Sequence, residues 1–333
     1  MSKLERTRFA TPEEIAVRAG EQQAPFLRLP DAAHEFAQRQ ARLQALAARH
    51  PIGEYLLFVA AIARAQQQAI DALPPLDVPE ASSLRANIEA SGRPLPAVGW
   101  PRAPQWRDAL RAILTTLVPN LDSAAGESVR RLADQSDAFF EAQADRLLGG
   151  ITLGLDLGAA PLIGAALQVH WVRLVAGAAA CFGSSSFERR APESLCPCCG
   201  TRPTASVVRI GGVEAGYRYL HCALCSTQWH LVRIKCSHCL STKGIHYEAL
   251  DRADAARDRS EVVRERAPVT AVRAECCDQC GHYLKILSME KDPDIDPVAD
   301  DLATVALDLL LAESGRTSGG VNMMLLYGDP GDG

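Results

Sequence analysis

The sequence predicts an α+β protein: a helical N-terminal domain, two tandem four-cysteine modules, and a C-terminal helix. Three observations predict it. Four CxxC pairs, Cys196/Cys199, Cys222/Cys225, Cys236/Cys239 and Cys277/Cys280, crowd one stretch of the second half. Residues before about Gly183 carry helix-type apolar spacing and helix end signals. After the last cysteine, Asp296-Pro297 opens another apolar stripe. At roughly 150 residues per domain, 333 residues allow about two domains and a real core. The reading places the domains at 1–185 (helices), 186–290 (cysteine modules) and 291–333 (last helix and tail).

The front half reads as follows. Thr11 with Glu14 makes a capping box before a short helix. Asp31 caps a helix running to about His50, and Gly53–Leu73 is a second, with Tyr55, Val59 and Ile62 on one face. Pro74 to Pro79 ends it, and Pro94, Pro96, Pro101 and Pro104 mark a loop. Leu110–Val118 and Ser123–Leu148 are helical, the latter stopped by Gly149-Gly150. Ile151 to Ala180 is apolar, but Asp156, Pro161, His170 and Arg173 interrupt it, so it reads as the central helix of a bundle rather than a membrane span. No internal repeat shows in this half.

Ser184 to Arg190 reads as a linker, and short strands follow. Thr204–Ile210 is β-prone, Gly211-Gly212 a turn, and Gly216–His221 alternates as a half-buried strand should. The first module is thus knuckle, strand, turn, strand, knuckle. The second repeats it with strands near Ile245–Leu250 and Val269–Ala274, separated by a charged insertion, Asp251 to Arg266. In the last helix Val298, Leu302, Val305 and Leu309 share a face, and Gly315 stops it. The glycine-rich tail from Thr317 is expected to be loose until Val321–Tyr327.

Ten of the eleven cysteines lie between Cys196 and Cys280, and only Cys181 lies outside. A two-residue gap lets a tight turn aim both sulfurs at one metal ion, so two turns supply a tetrahedral four-thiolate site. A disulfide framework is the competing account. Met1 to Ala10 is charged and has no apolar signal core, so the chain is expected in the cytoplasm, where clustered cysteines hold metal. Consecutive pairing puts Cys196, Cys199, Cys222 and Cys225 in one site and Cys236, Cys239, Cys277 and Cys280 in the other. It is preferred over a nested arrangement because each module then closes on its own hairpin. Gly200 and Gly281 follow the second cysteine of their knuckles, where a positive φ is needed. Zinc and iron both accept four thiolates, and the residues do not choose between them. A closed four-thiolate site has no open position for hydrolytic catalysis. Cys198 and Cys276 are spare: small buried side chains, or reactive thiols beside a metal.

Other candidates fail. His34-Glu35 begins an HExxH pattern, but Gln38 stands where the second histidine belongs. Asp292, Asp294 and Asp296 open like a calcium loop, yet Pro297 and Ala303 replace its glycine and closing glutamate. Gly149 to Gly164 lacks dinucleotide-binding spacing. His221, His230, His238, His246 and His282 read mostly as strand or knuckle side chains, with His238 able to hydrogen-bond beside a metal site. The net charge of −5 argues against a general nucleic-acid binder.

Cys196-Pro-Cys-Cys-Gly200, Tyr219-Leu-His-Cys-Ala-Leu-Cys225, Trp229-His230, Cys236-Ser-His-Cys239, Cys277-Asp-Gln-Cys-Gly281 and Asp300-Asp-Leu-Ala-Thr304 resemble the formate dehydrogenase accessory protein family, FdhE. The resemblance covers most of the chain and is most specific from Glu193 to Ser314. It implies rubredoxin- or zinc-ribbon-like modules holding two metal ions on the eight paired cysteines. It also implies a cytoplasmic protein needed for active formate dehydrogenase, in contact with the molybdenum-containing catalytic subunit. With the closed metal sites and no segment reading as a membrane span, the chain is expected to be an accessory or assembly protein, not an enzyme and not inserted in a membrane. Cys198 and Cys276 are not required by the pattern. Two rivals are a rubredoxin-like electron carrier or thiol-redox protein, and a nucleic-acid-binding zinc ribbon using Tyr217, Tyr219, Arg209, Arg218, Arg233 and Lys235.

Overall fold

A computed structural model describes residues 24–121, 123–250 and 271–325. The Thr11/Glu14 box, the insertion after Asp251, and Tyr327 lie outside them. The helices are α1 (Glu35–Ala47), α2 (Gly53–Ala72), α3 (Ala81–Ser91), α4 (Gln105–Leu117), α5 (Ser123–Ala133), α6 (Asp137–Gly149), α7 (Ala160–Phe182), α8 (Pro297–Ala303) and α9 (Val305–Glu313). The strands are β1 (Leu27–Arg28), β2 (Pro203–Val208), β3 (Arg218–Cys222), β4 (Gln228–His230), β5 (Ile245–Glu248), β6 (Val272–Cys277), β7 (His282–Ser288) and β8 (Thr317–Ser318).

α7 is the central helix that its apolar run predicts. Of the helices described, it alone is long and apolar enough to cross a membrane, but 78% of that stretch is buried inside the fold. Gln168 and Trp171 on it find hydrogen-bond partners inside the fold. Gln168 accepts from Gln66 and donates to the Ala223 carbonyl at 2.8 Å, and the Trp171 indole donates to Leu95 O. These bonds also tie the helices to the second knuckle and the Pro94–Pro104 loop.

Local signals set most ends, and the departures have physical causes. Asp31 stands one turn ahead of α1, which starts at Glu35; its carboxylate instead accepts from Ala33 N–H within the preceding turn. Ser123–Leu148 is two helices, because Ser136 caps α6 with its hydroxyl on Phe139 N–H. α3 between the two proline loops has no strong stripe; it buries only Leu84 and escaped the pattern reading. The last helix breaks at Thr304, whose hydroxyl bonds the Asp300 carbonyl at 2.7 Å. Val298 and Leu302 are therefore buried from α8, whereas α9 buries Leu307 and Leu311 and leaves Leu309 exposed.

The two modules share one sheet. Its order is β1-β4-β3-β2-β7-β6-β5, and β8 also pairs with β7. The join is the parallel pairing of β2 with β7, Ser206 opposite Ile286. β3 is buried on both faces along its whole length, not half-buried as its alternation suggests. On one face Arg218, fully buried, pairs with Glu275 on β6 and donates to the carbonyls of Leu231, Val232 and Lys235. Arg218 and Tyr219 thus belong to the interior and offer no stacking or phosphate face to a nucleic acid.

The tail, expected to be loose until Val321, already packs from Thr317, where β8 pairs with β7. Met323 and Met324 are buried in the main core, and Gly320 passes so close to β2 that a Cβ there would lie 2.6 Å from Thr204 O. The Asp300-Asp301 pair explains how. Asp300 holds Arg42 on α1 through two hydrogen bonds. Asp301 pairs with buried Lys285 on β7 and accepts from Asn322 at 2.8 Å. One continuous core runs from the helices through Cys196, Cys199, Cys222 and Cys225 to Leu284, Val298 and Met324.

Candidate metal centres

All eleven cysteines are free thiols. Eight gather into two groups with consecutive pairing: Cys196, Cys199, Cys222 and Cys225 in centre one, and Cys236, Cys239, Cys277 and Cys280 in centre two. In centre one, sulfurs lie 3.6 Å (Cys196–Cys225), 3.4 Å (Cys199–Cys222) and 3.7 Å (Cys199–Cys225) apart. In centre two, Cys236–Cys280 and Cys239–Cys277 are each 3.8 Å apart. Metal–sulfur bonds of about 2.3 Å make a tetrahedron with an edge of about 3.8 Å, so both groups fit one tetrahedral ion each. The separations are far beyond a sulfur–sulfur bond of about 2 Å.

Each knuckle is a local turn. In three of them the N–H of the residue after the second cysteine returns to the first cysteine's carbonyl: Gly200 to Cys196 at 2.9 Å, Leu240 to Cys236 at 3.1 Å and Gly281 to Cys277 at 2.9 Å. That residue has positive φ in all four: Gly200 (79°), Ser226 (56°), Leu240 (62°) and Gly281 (72°). The two glycines are legible in the sequence. Ser226 and Leu240 are not, because side chains there are strained and composition does not mark the site. In two knuckles backbone N–H groups point at the first sulfur: Leu224 and Cys225 at Cys222, and His238 and Cys239 at Cys236. Such donors stabilise thiolate, the form that binds metal.

The donor set and its electrostatics fit a metal. Burial pushes the Cys196 and Cys222 thiols well above their usual range, so without an ion they hold protons, and a metal must displace them. Beside centre one sits Arg93, only 4% exposed. Burial lowers its pKa, and the groups that favour its charge are the thiols of Cys196, Cys199 and Cys198. A buried guanidinium needs an anion, and four thiolates around a divalent ion carry a net −2. Arg93 was not foreseen; an arginine in a loop far from the cysteines carries no sequence signal.

Cys198 is buried against centre one, with Thr227 Oγ1 3.6 Å from its sulfur. Cys276 is buried on β6 opposite His246, and burial pushes its thiol to about 12. Neither belongs to a four-thiol group, and Cys181 is exposed and belongs to neither. Among the histidines, His221 is buried and its pKa falls to about 3, chiefly by desolvation and then by Arg39. His230 lies edge-on to Tyr217 and Tyr219. His238 does stand beside a centre, stacked on His282 at 3.7 Å.

The chain matches three family profiles in order: FdhE N-terminal at residues 24–180, FdhE central domain at 195–233, and FdhE C-terminal domain at 234–325. The central and C-terminal profiles divide between the two four-cysteine groups. The "Protein FdhE homolog" of Cronobacter sakazakii is 35% identical over 305 residues, covering 92% of each chain. "Protein FdhE" of Escherichia coli O9:H4 is 36% identical over 309 residues, again 92% of each. The crystal structure of the FdhE protein from Pseudomonas aeruginosa superposes with a TM-score of 0.74 at 34% identity, covering 92% of this chain and all of that one. On sequence over nearly its whole length and on fold, this chain belongs to the FdhE family.

Proposed function

We propose that this protein is an accessory or assembly factor for formate dehydrogenase, not an enzyme, which binds the catalytic subunit in the cytoplasm through a metal-stapled scaffold. The observation that carries the reading is the pair of tetrahedrally spaced four-thiol centres within an FdhE-family chain. Protein sulfur would fill every coordination position at each centre, which leaves none for a substrate. The ligands would be Cys196, Cys199, Cys222 and Cys225 for one ion, iron or zinc, and Cys236, Cys239, Cys277 and Cys280 for the other. Metal bound at such sites supplies roughly 10–16 kcal/mol that doubles as folding energy. It would hold the shared sheet against α1–α7 on one side of the chain and α8, α9 and the described tail on the other, as a rigid surface for a partner.

The test is a pull-down of the catalytic subunit with wild-type and Cys236→Ser protein, alongside formate oxidation in cells lacking the chain. Wild type should capture the subunit, the variant should capture less, and the deleted cells should contain subunit of low activity. Full activity in those cells, with no subunit captured, would sink the accessory reading. The exposed Cys239 favours one second reading, that of an electron carrier with iron at centre two. A reversible colour change with a measurable reduction potential would support it.

A further inference from the structure

The two centres have the same ligands and spacing but different surroundings. At centre one no cysteine is more than 2% exposed. The Leu95 and Ala97 N–H groups bond the carbonyls of Cys198 and Cys199 at 3.0 and 2.9 Å, closing the front-half loop over the knuckle. A Cβ on Gly200 would lie 3.3 Å from Arg93 Cγ. At centre two Cys239 is exposed and Cys280 partly so. A Cβ on Gly281 would meet nothing within 4 Å. One ion would be sealed in the main core, and the other would sit at the surface.

Two imidazoles stand at the open centre. His238 lies between Cys236 and Cys239, and His282 follows Cys280 by two residues. Their rings are parallel within 8° and 3.7 Å apart. Ligand atoms of His238, Cys280 and His282 lie within 4.8 Å of one another, a second ligand group that shares one sulfur with the four-thiol group. The His282 Nδ1 donates to the Cys280 carbonyl at 2.8 Å, which leaves the Nε2 lone pair free. The His238 Nδ1 is buried and has no hydrogen-bond partner, a cost that a stacked pair with no further role would not need. The tail helps hold His238: a Cβ on Gly319 would lie 3.7 Å from its Cβ.

We propose that centre two is the exchangeable metal centre, and that His238 and His282, one imidazole at a time because stacked rings cannot share an ion, hold a divalent ion beside Cys280 as it enters or leaves. Nitrogen and thiolate donors suit zinc and ferrous iron, so an ion can keep ligands while it trades imidazole for sulfur. Cys280 is common to both groups and stays bound throughout. No electron moves, and each thiol that becomes a ligand releases its proton to water. Centre one, lacking such an approach, keeps its ion as part of the core.

The inference rests on the metal-binding reading, and the experiment separates the two. Full-length protein loaded with Zn2+ is challenged with excess EDTA, and zinc release is followed. Two equivalents should leave in two phases, the fast one slowed at least about tenfold in His238→Phe/His282→Phe, which keeps two stacking rings but no ligands. Cys239→Ser should abolish the fast phase and leave the slow one. The His238→Ala/His282→Ala pair, which tests the same loss without ring packing, should also slow release. Both equivalents leaving at one rate would overturn the inference, as would a histidine variant that releases zinc as fast as wild type or faster, the behaviour of a mere cover. Fewer than two bound equivalents would instead overturn the metal reading beneath it.

Discussion

Arg218→Met tests whether the two cysteine modules are one mechanical unit. Arg218 is 0% exposed and Glu275 only 5%, and the two pair between β3 of one module and β6 of the other. The guanidinium also donates to Leu231 O at 3.2 Å, Val232 O at 2.9 Å and Lys235 O at 2.7 Å, the last just before Cys236. The change removes the cation and leaves a buried carboxylate with only the Tyr247 hydroxyl, 3.2 Å away. Breaking a buried pair from one side costs about 3–5 kcal/mol. The three carbonyls add about 1 kcal/mol each where water does not replace the donor. We expect a loss of at least about 4 kcal/mol, a large share of a total stability of about 5–15 kcal/mol. Arg218→Met/Glu275→Leu removes the stranded charge and should recover at least about 2 kcal/mol. The assay is denaturant unfolding of metal-loaded protein followed by tryptophan fluorescence. A single variant costing under about 1 kcal/mol, or a double variant no better than the single, would refute the argument.

Three further outcomes are expected. Cys199→Ser and Cys222→Ser should each remove the same metal equivalent, and the double variant no more; metal analysis showing two equivalents lost only in the double variant would reject consecutive pairing. His170 is buried in α7, and desolvation, then Arg173 and Arg102, lowers its pKa from 6.5 to about 4. The unfolded chain therefore binds the extra proton first, and stability is lost as pH falls from about 6.5 to about 4, by about 3 kcal/mol for this group. His170→Gln should flatten that part of the stability–pH curve, whatever its absolute stability, and an unchanged slope would show the histidine to be ordinary. Stripping both metals should loosen residues 196–250 and 271–290 while α1–α7 keep much of their helicity, read by hydrogen exchange; equal loss of protection in both regions would show the division near Gly183 to be wrong.

What the sequence determined by itself is what short-range chemistry dictates. A CxxC turn brings its two sulfurs together through backbone spacing alone, so the eight clustered cysteines were readable as two groups of four. Asp296 caps α8 through Val298 and Ala299 N–H, and Gly150 ends α6 in the left-handed conformation, because caps are built from neighbours. The apolar run of α7 marked it as buried for the same reason: every face carries the signal. The tertiary structure decided the rest. Parallel pairing of β2 with β7 joins modules that look separate in the chain, and nothing local to either strand specifies it. That pairing puts β6 in the same sheet as β3, where Arg218 meets Glu275 and is an interior strut rather than an exposed cation. The docking of the Pro94–Pro104 loop, carrying Arg93 beside it, seals one centre and leaves its twin open. The glycine-rich tail packs because Met323 and Met324 enter the core and Asp301 and the close approach at Gly320 hold it there. Distant groups must first be brought together by the core, and only then do their charges, hydrogen bonds and exposures take the values that distinguish one four-cysteine centre from the other.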